Sequence, residues 1–489
     1  MRKNKKPKLI NRRIEENEAF LKSKLGLDVS FDVGFRELTI LKKKVQLYYV
    51  TGLVDTGVVI EIIKKFISVN DDEIKETDIY EVLDNRVVHQ QLEKADTFEK
   101  AIDQLLSGLL VVFVDGESEC FIVDVRSYPG RSPEEPDTEK VVRGARDGYT
   151  ENIIENTALT RRRIRDERLR NEIMQIGERS KTDVCISYLQ DVADDGLIAL
   201  IKDELSQIEV DGISMADKTI EEYLVHQGMN PYPLVRYTER PDVASTHLLE
   251  GHVLIMVDTS PSMIIMPTTF FHHVQHAEEY RESPAVGTFV RWVRFLGIFA
   301  SIFLLPLWLL LVVEPQLLPP NLSFIGPNET GNIPIVVQIL LADIGIEFLR
   351  MAAIHTPTPL STAMGLIAAV LIGEIAIKVG LFSSEVILYV AISAIGSFAT
   401  PSYELSVANK IIRILLVLLT FFFHVPGFII GMTCLLLFLA NIRSLQTPYL
   451  WPFLPFNGKA LSQILFRVSV PLSKTRPSIV HPKNNRKQV

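Results

Sequence analysis

An uncharged and predominantly apolar run, Gly297–Val313, divides the chain into two parts of opposite charge. Its length is about that of a helix that crosses the hydrocarbon core of a bilayer. Residues 1–290 contain 37 Lys and Arg against 52 Asp and Glu, whereas residues 291–489 contain 14 against 7. The net charge of −8 and the mean hydropathy of +0.20 therefore average an acidic part and an apolar, basic part. This composition excludes a disordered chain, a collagen-like chain and a simple soluble enzyme.

Further apolar segments follow this run and predict a polytopic membrane domain of about six spans at 291–442, with a basic cytoplasmic tail at 443–489. The segments lie at 333–353, 361–380, 385–400, 410–423 and 426–441. Pro426 and Gly427 separate the last two, which predicts either a tight helical hairpin or a re-entrant loop.

The positions of Lys and Arg predict the orientation of the spans. Basic residues lie near alternate ends of the segments, at Arg291, Arg294, Arg350, Lys410, Arg413 and Arg443. The connections at 314–332, at 379–385 and around Val425 contain none. We therefore expect both ends of the domain on the cytoplasmic side. The basic N terminus has no apolar signal-peptide core, so residues 1–290 are expected on that side too.

The first 290 residues contain an internal repeat. Residues 45–60 align with 184–199 at an offset of 139, and residues 105–115 align with 248–258 at an offset of 143. Each block combines a β-rich apolar run with a turn and a helix. The predicted fold class is a duplicated α/β soluble region followed by an all-α polytopic membrane domain.

The repeat predicts four parts for the soluble region. They are a basic arm at 1–29, a first α/β subdomain at 30–128, a charged helical connector at 129–181 and a second α/β subdomain at 182–290. The connector contains an arginine-rich stretch, 161–170, that could contact nucleic acid or anionic lipid. Interleaved acids favour an exposed helix with internal ion pairs instead. The basic arm is interpreted as a solvated tail, with contact to acidic headgroups as the alternative.

Catalytic and nucleotide-binding motifs are absent from the sequence, which has no Walker A loop, GxGxxG after a strand, HExxH or GxSxG. His272 and His276 are spaced as metal ligands on a helix, but a third ligand cannot be identified, which favours a surface helix start. The three isolated cysteines are typical of a reducing compartment. We expect no enzyme activity, no metal and no cofactor.

Charged residues inside the predicted spans are the candidates for a functional site. Asp343, Glu347 and Arg350 share one helical face, and Glu374 and Lys378 are one turn apart. Charges in a span are costly and are functional candidates by default. They predict a hydrated cation pathway in a bundle or oligomer. The alternative is an interfacial amphipathic segment together with a locally satisfied Glu374–Lys378 pair.

Two long motifs lie in the soluble region. The first includes Ser127-Tyr-Pro-Gly-Arg-Ser-Pro-Glu-Glu-Pro136, Val142-Arg-Gly-Ala-Arg-Asp-Gly-Tyr-Thr-Glu151 and Asn156-Thr-Ala-Leu-Thr-Arg-Arg-Arg-Ile164. The second is Tyr237-Thr-Glu-Arg-Pro-Asp242, followed by 248–258. These motifs resemble the A subunits of GerA-type spore germination receptors. With the membrane region, the resemblance covers about residues 30–445.

The resemblance implies a multi-pass protein of the inner membrane of a bacterial endospore, with its N-terminal domain on the core side. It implies a homo-oligomeric ring, of pentamer size in relatives, that contacts lipids and another membrane protein of the germination apparatus but no nucleic acid. Within the family, Phe271–Tyr280 is most like a sporulation paralogue without a nutrient sensor of its own. Asp258-Thr-Ser-Pro261 stands where relatives often have Asp-Gly-Thr-Pro, a departure from the receptor pattern.

The motif residues of the soluble region are expected to pack the subdomains or to form ring contacts. They are Tyr128, Pro129, Arg131, Arg143, Gly144, Glu239, Arg240 and Pro241. The expected function is an oligomeric cation channel subunit that releases monovalent ions during germination. The alternative is a non-conducting scaffold that organises germination receptors or aids solute release. A transporter would show internal symmetry among the spans, and the sequence has none.

Overall fold

The computed structural model describes residues 7–68, 92–128, 139, 143–327, 332–355 and 374–487. The chain forms two compact units. The α/β unit comprises Met1–His226, Val235–Pro267 and Ser469–Val489, and the helical unit comprises Gln227–Leu234 and Thr268–Val468. The last 21 residues of the predicted basic tail therefore belong to the α/β unit. Lys483, for example, donates to the carbonyl oxygen of Gln190 at 3.0 Å.

The first half of the α/β unit contains a five-stranded antiparallel sheet of order β1-β2-β4-β5-β3. Its elements are α1 (Ile14–Leu21), β1 (Val33–Ile40), β2 (Lys43–Val50), α2 (Thr56–Ser68), β3 (Leu92–Ala95), α3 (Phe98–Leu106), β4 (Leu110–Val114) and β5 (Cys120–Val123). The apolar strand β4 is buried along its whole length. Apolar residues on its two faces pack into two clusters, one on each side of the sheet.

The second half repeats this plan in a sheet of order β6-β7-β9-β10-β8. Its elements are α4 (Ile153–Arg163), β6 (Leu169–Ile176), β7 (Thr182–Leu189), α5 (Asp195–Ser206), α6 (Ala216–Val225), β8 (Arg236–Thr238), α7 (Pro241–Glu250), β9 (Val253–Val257) and β10 (Met263–Met266). The starts of β2 and β7 are 139 residues apart, and those of β4 and β9 are 143 apart, as the sequence repeat predicts. The duplicated α/β fold is confirmed.

The duplication extends to the helix that precedes each sheet. The buried side chain of Asn17 accepts from the N–H of Asn11 at 2.9 Å and donates to its carbonyl oxygen at 2.6 Å. Asn156, in α4, makes the same two bonds with Thr150 at 2.8 and 2.6 Å. Each asparagine therefore clamps the turn in front of its helix.

The acidic residue after each central strand binds the same helix. Asp115 follows β4 and accepts from the N–H of Ile14, and Asp258 follows β9 and accepts from the N–H of Ile153. Because these bonds tie α1 and α4 to the sheets, both helices belong to the repeats. The segments predicted as an arm and a connector therefore contain repeat elements, including the edge strand β6.

Arg161, in the arginine-rich stretch, is buried, and the exposed helix predicted for this stretch is not formed. The helix α4 ends at Arg163, and β6 begins six residues later. The Arg161 guanidinium donates to Asp32 at 2.5 Å, and both side chains are 1% exposed. Asn171 donates to the same carboxylate at 3.0 Å. The ion pair therefore joins the residue before β1 to the second sheet, a partner that no local spacing reveals.

The helical unit contains α8 (Phe270–Val274), α9 (Ala277–Arg281), α10 (Pro284–Val313), α11 (Ile335–His355), α12 (Ala376–Lys378), α13 (Ser384–Phe398), α14 (Tyr403–Asn441), β11 (Arg443–Ser444), β12 (Thr447–Pro448) and α15 (Gly458–Leu465). In the described part of the chain, α10 and α14 are long and apolar enough to cross a membrane, with mean hydropathies of 2.6 and 2.3. Of the third predicted span, 361–380, only the last seven residues are described, so the count of six spans stays a prediction.

The helix α14 folds back on itself at His424, whose φ of 54° is not helical. A Cβ on Gly431 would lie 2.6 Å from Cδ2 of Leu416, and one on Gly427 would lie 2.1 Å from the carbonyl oxygen of Leu419. Fifteen residues of straight helix would separate the first pair by about 22 Å. Of the two sequence alternatives, the structure therefore has the tight helical hairpin.

Replacing Arg161 by Met is expected to destabilise the α/β unit, because the carboxylate of Asp32 would stay buried without its counter-ion. Removing one partner of a buried ion pair costs roughly 3–5 kcal/mol. Amides of β7 that exchange only on unfolding should then exchange roughly a hundredfold faster or more, as measured by hydrogen exchange on the full-length protein.

Arg163→Met is the matched control on the same helix. Its ion pair with Asp147 is partly exposed, with side chains 27% and 36% accessible. Such pairs contribute less than about 1 kcal/mol, so the exchange of β7 should change little. Equal effects of the two substitutions would contradict the role assigned to the buried pair.

Candidate functional site: buried ion pairs between two helices

Five charged side chains from α11 and α14 form a continuous network inside the helical unit. Arg413 donates to Asp343 at 2.5 Å, and the Lys410 ammonium lies 3.7 Å from the same carboxylate oxygen. Lys410 also donates to Glu347 at 2.6 Å, and Arg350 donates to Glu347 at 2.5 Å. Cations and carboxylates therefore alternate from Arg413 to Arg350.

Helical spacing brings these side chains together. Asp343, Glu347 and Arg350 follow one face of α11, as the sequence predicts, and Lys410 and Arg413 are three residues apart on α14. The two stripes carry complementary charges where the helices meet. The sequence analysis used Lys410 and Arg413 only to orient the spans, and their position inside an apolar helix was the signal that it missed.

The network runs from a fully buried end to a partly open end. The side chains of Arg413 and Asp343 are 0% and 3% exposed, whereas that of Glu347 is 22% exposed. Arg350 lies 4.8 Å from the ring of Tyr403, an exposed residue at the start of α14. Burial of an ion costs several kcal/mol unless a partner compensates it, so the paired state is the one that this environment favours.

Arg413 also connects two further helices. Its guanidinium donates to the carbonyl oxygen of Ser301 in α10 at 2.6 Å and to the hydroxyl of Ser397 in α13 at 3.5 Å. A Cβ on Gly396 would lie only 2.2 Å from the carbonyl oxygen of Gln-free, side-chain-free Gly297. Small residues at this crossing let α10 and α13 approach closely enough to share one guanidinium.

A second polar stripe on α14 continues from the network. Asn409 and Thr420 are fully buried, and they lie four residues before and seven residues after Arg413, on the same helical face. Neither amide atom of Asn409, nor the hydroxyl of Thr420, nor Nε of Arg413 has a hydrogen-bond partner among the described residues. Buried polar atoms without protein partners commonly bind water, so this stripe can hold a hydrated ligand.

Glu374 and Lys378 lie apart from the network. Their side chains are 70% and 76% exposed and form an ion pair at 3.6 Å. Among the described residues, the contacts of this pair do not reach the carboxylates of α11. The structure therefore has the local pair of the sequence alternative at this position.

The first soluble motif is only partly described. The Tyr128 hydroxyl donates to the carbonyl oxygen of Ser107 at 2.8 Å, and its ring lies 4.6 Å from the guanidinium of Arg162. Tyr128 thus contacts both repeats of the α/β unit. Arg143 and Gly144 are exposed. Pro129 and Arg131 lie outside the described residues.

The second motif packs against the first. Arg240 is fully buried and donates to the carbonyl oxygen of Ala145 at 2.9 Å. The carbonyl oxygen of Glu239 accepts from the N–H of Tyr149 at 2.8 Å, and Pro241 is the buried first residue of α7. These contacts lie inside one chain, and ring contacts of the motif residues stay a prediction.

His272 begins α8, but it is not at the surface as the sequence predicted. Its ring nitrogen Nδ1 accepts from the N–H of Thr269 at 3.0 Å and completes a capping box. His272 and His273 are buried because the apolar start of α8 packs inward, with Phe271 5.5 Å from Phe453. His276 caps the next helix, α9.

Two buried thiols of the α/β unit are poor nucleophiles. Burial raises the pKa of Cys120 to about 12 and also raises the pKa of Cys185. A thiol that stays protonated at neutral pH reacts slowly. Among the described residues of this unit, cysteine chemistry is therefore an unsuitable basis for catalysis.

Comparison with known proteins places this arrangement in a family. The profile described as "Bacillus/Clostridium GerA spore germination protein" matches residues 19–479. The chain belongs to the GerA spore germination family. It is 60% identical over 479 residues to stage V sporulation protein AF of Bacillus subtilis (strain 168), covering 98% of this chain and 97% of that protein.

Other GerA proteins are more distant. Spore germination protein KA of Bacillus subtilis (strain 168) is 29% identical over 490 residues, covering 99% of this chain and 89% of that protein. The N-terminal domain of the A subunit of the Bacillus megaterium spore germinant receptor GerK3 matches with 25% identity and a TM-score of 0.43 over 54% of this chain and 99% of that one.

Asp343→Asn is expected to destabilise the helical unit, because the Arg413 guanidinium would lose the only carboxylate with which it is paired among the described residues. Loss of one partner of a buried pair costs roughly 3–5 kcal/mol. The measurement is the thermal midpoint in detergent, followed by the fluorescence of Trp308, which is buried in α10.

The double variant Asp343→Asn with Arg413→Gln removes both charges and should recover much of this loss. Glu374→Gln is the exposed control and should leave the midpoint nearly unchanged. A single variant as stable as the unsubstituted protein would show that the pair contributes nothing to the fold.

Proposed function

We propose that this protein is a subunit of an oligomeric cation channel that releases monovalent ions across the spore inner membrane during germination. Membership of the GerA family supports the setting in spore germination. The buried carboxylates of α11, each paired with a cation of α14, are the observation that carries the channel role. Intramembrane acids are functional candidates because an apolar pair of helices would avoid their cost.

In this proposal, the paired network is the closed state. Lys410 and Arg413 occupy the carboxylates, so a cation that reaches Glu347 meets a bound counter-ion instead of a free acid. A relative displacement of α11 and α14 would separate Lys410 from Glu347 and free a negative group at the more open end of the network. Free carboxylates in a low-dielectric pathway concentrate cations and favour their passage.

The second polar stripe then provides the continuation of the pathway. Beyond Asp343, the unpartnered amide of Asn409 and the hydroxyl of Thr420 can replace part of the hydration shell of a passing ion. Oxygen atoms of this kind are the usual ligands of monovalent cations in channels. The expected order along the pathway is Glu347, Asp343, Asn409 and Thr420.

The assembly belongs to the same proposal. We place the α/β unit on the cytoplasmic or core side, and the chains in a homo-oligomeric ring that works with another membrane protein. The basic residues near the predicted span ends support this orientation. The stimulus would act on the ring of α/β units, whose repeats are held rigid by the Arg161–Asp32 pair.

A non-conducting scaffold is the second candidate. It is favoured by the local pairing of Glu374 with Lys378 and by the complete pairing of Asp343 and Glu347, since paired charges can also serve packing alone. A scaffold would depend on its surface and on its fold, and substitutions that keep both would leave it active.

Lys410→Met is expected to raise the basal potassium flux of the reconstituted oligomer severalfold, because Glu347 would lose its ammonium partner and attract cations. Flux is measured from potassium-loaded liposomes with a fluorescent indicator. Lys378→Met is the matched control, since Lys378 belongs to the exposed local pair, and it should leave the flux unchanged.

The scaffold makes the opposite prediction. Absence of flux from a verified oligomer, with its membrane partner present and in the Lys410→Met variant as well, would contradict the channel. Equal flux changes in the two lysine variants would contradict the assignment of the pathway to α11 and α14.

A further inference from the structure

The short helix α15 is fastened to the first long apolar helix, α10. The Arg291 guanidinium donates to the carbonyl oxygens of Gln463 and Ile464 at 3.1 and 2.7 Å. The indole N–H of Trp292 donates to the carbonyl oxygen of Leu465 at 2.8 Å. These carbonyls are at the C-terminal end of α15, where a helix lacks internal donors. Two adjacent residues of α10 therefore fix the end of α15.

Further ion pairs hold this junction in place. The fully buried carboxylate of Glu279, in α9, accepts from Arg291 at 2.7 Å and also contacts Arg294. After α15, the Arg467 guanidinium donates to the carbonyl oxygen of Tyr280 at 2.6 Å. The segment that contains α15 thus returns to α9 and cannot move independently of the base of α10.

The length of α10 sets the level of this junction in the membrane. Its 30 residues extend about 45 Å, whereas the hydrocarbon core takes about 20 residues. The uncharged run Gly297–Val313 fits the hydrocarbon, so the turn with Arg291, Trp292 and Arg294 falls at the headgroups. Trp and Arg are enriched at that level. Since α15 is bonded to this turn, it lies there too.

The segment around α15 exposes large apolar side chains. Those of Phe453, Leu454, Phe456 and Phe466 are 46–73% exposed, and the Phe466 ring lies 5.4 Å from Trp292. Exposed apolar groups of this density are unusual on a surface that faces water and typical of one that binds a partner or a membrane.

The charges of the same segment select a negative partner. Residues 441–489 contain eight Lys and Arg and no Asp or Glu. Lys459 is exposed in the first turn of α15, and Arg443 is exposed shortly before it. Aromatic and aliphatic groups beside exposed cations are the pattern of elements that lie in the interface of an anionic membrane.

We propose that residues 451–468 form a lipid anchor that lies in the headgroup region of an anionic leaflet, beside the N-terminal end of α10. The phenylalanines enter the acyl boundary, and Lys459 contacts lipid phosphate or carboxylate groups. The anchor rests on the proposed crossing of the membrane by α10. It holds the base of α10 at a fixed depth.

The depth of Phe456 tests this anchor in the full-length protein. The variant Phe456→Cys, with Cys434→Ser, is labelled with an environment-sensitive fluorophore, since Cys120 and Cys185 are buried. The protein is placed in bilayers of phosphatidylcholine and phosphatidylglycerol. A nitroxide on the upper acyl chain should quench the label at least twofold more strongly than it quenches the same label at Met215, an exposed residue of the α/β unit. Aqueous iodide should show the reverse order.

A label at Phe299→Cys separates the two possible failures. Phe299 is exposed within the apolar part of α10, so nitroxide lipids should quench it if α10 crosses the membrane. If they do not, the proposed topology fails and the anchor with it. If Phe299 is quenched while Phe456 is reached by iodide, or by neither quencher because a second copy covers it, the anchor alone is overturned.

Lys459→Gln tests the preference for anionic lipid. At equal amounts, nitroxide-labelled phosphatidylglycerol should quench the label at 456 more than labelled phosphatidylcholine does, and the ratio should fall towards one in the variant. A basic residue near an anionic surface contributes about 1 kcal/mol, or roughly fivefold. A ratio of one before the substitution would overturn the anionic contact.

Discussion

A carboxylate buried among apolar helices needs a counter-ion, and for Asp343 that counter-ion is Arg413. This requirement determines the arrangement of the helical unit. It sets the register of α11 against α14, because two acids of one helix must meet two cations of the other. It also requires the close crossing of Gly297 and Gly396, through which α10 and α13 reach the same guanidinium. The proposed gate follows from this, since a network that pays for burial by pairing can be opened by separating the pairs.

The α/β unit applies the same physical rule to a different end. Its two sheets repeat one topology, and the buried Arg161–Asp32 pair connects the second sheet to the residue before the first. In the helical unit the ion pairs are close to polar atoms without partners, whereas in the α/β unit Asn171 also binds the carboxylate. Full satisfaction suits a rigid ring, and partial satisfaction suits a pathway that must admit a hydrated ion.

Local patterns in the sequence predicted the elements well and their partners poorly. Alternation and turn residues identified β2 and β7, and the offset of 139 carried the duplication. Helical spacing placed Asp343, Glu347 and Arg350 on one face. The same spacing could not show that this face meets Lys410 and Arg413, about 70 residues away. It likewise suggested an exposed helix for the arginine-rich stretch, because the acid that buries Arg161 lies 129 residues earlier.

Exchange of the charges between Glu347 and Lys410 tests the central claim most directly. Glu347→Lys alone should block potassium flux in liposomes, and Lys410→Glu alone should raise the resting flux, because each leaves like charges together. If the pair is the gate, the double variant should restore a low resting flux and its increase on stimulation. A double variant that is as defective as either single one would contradict the account.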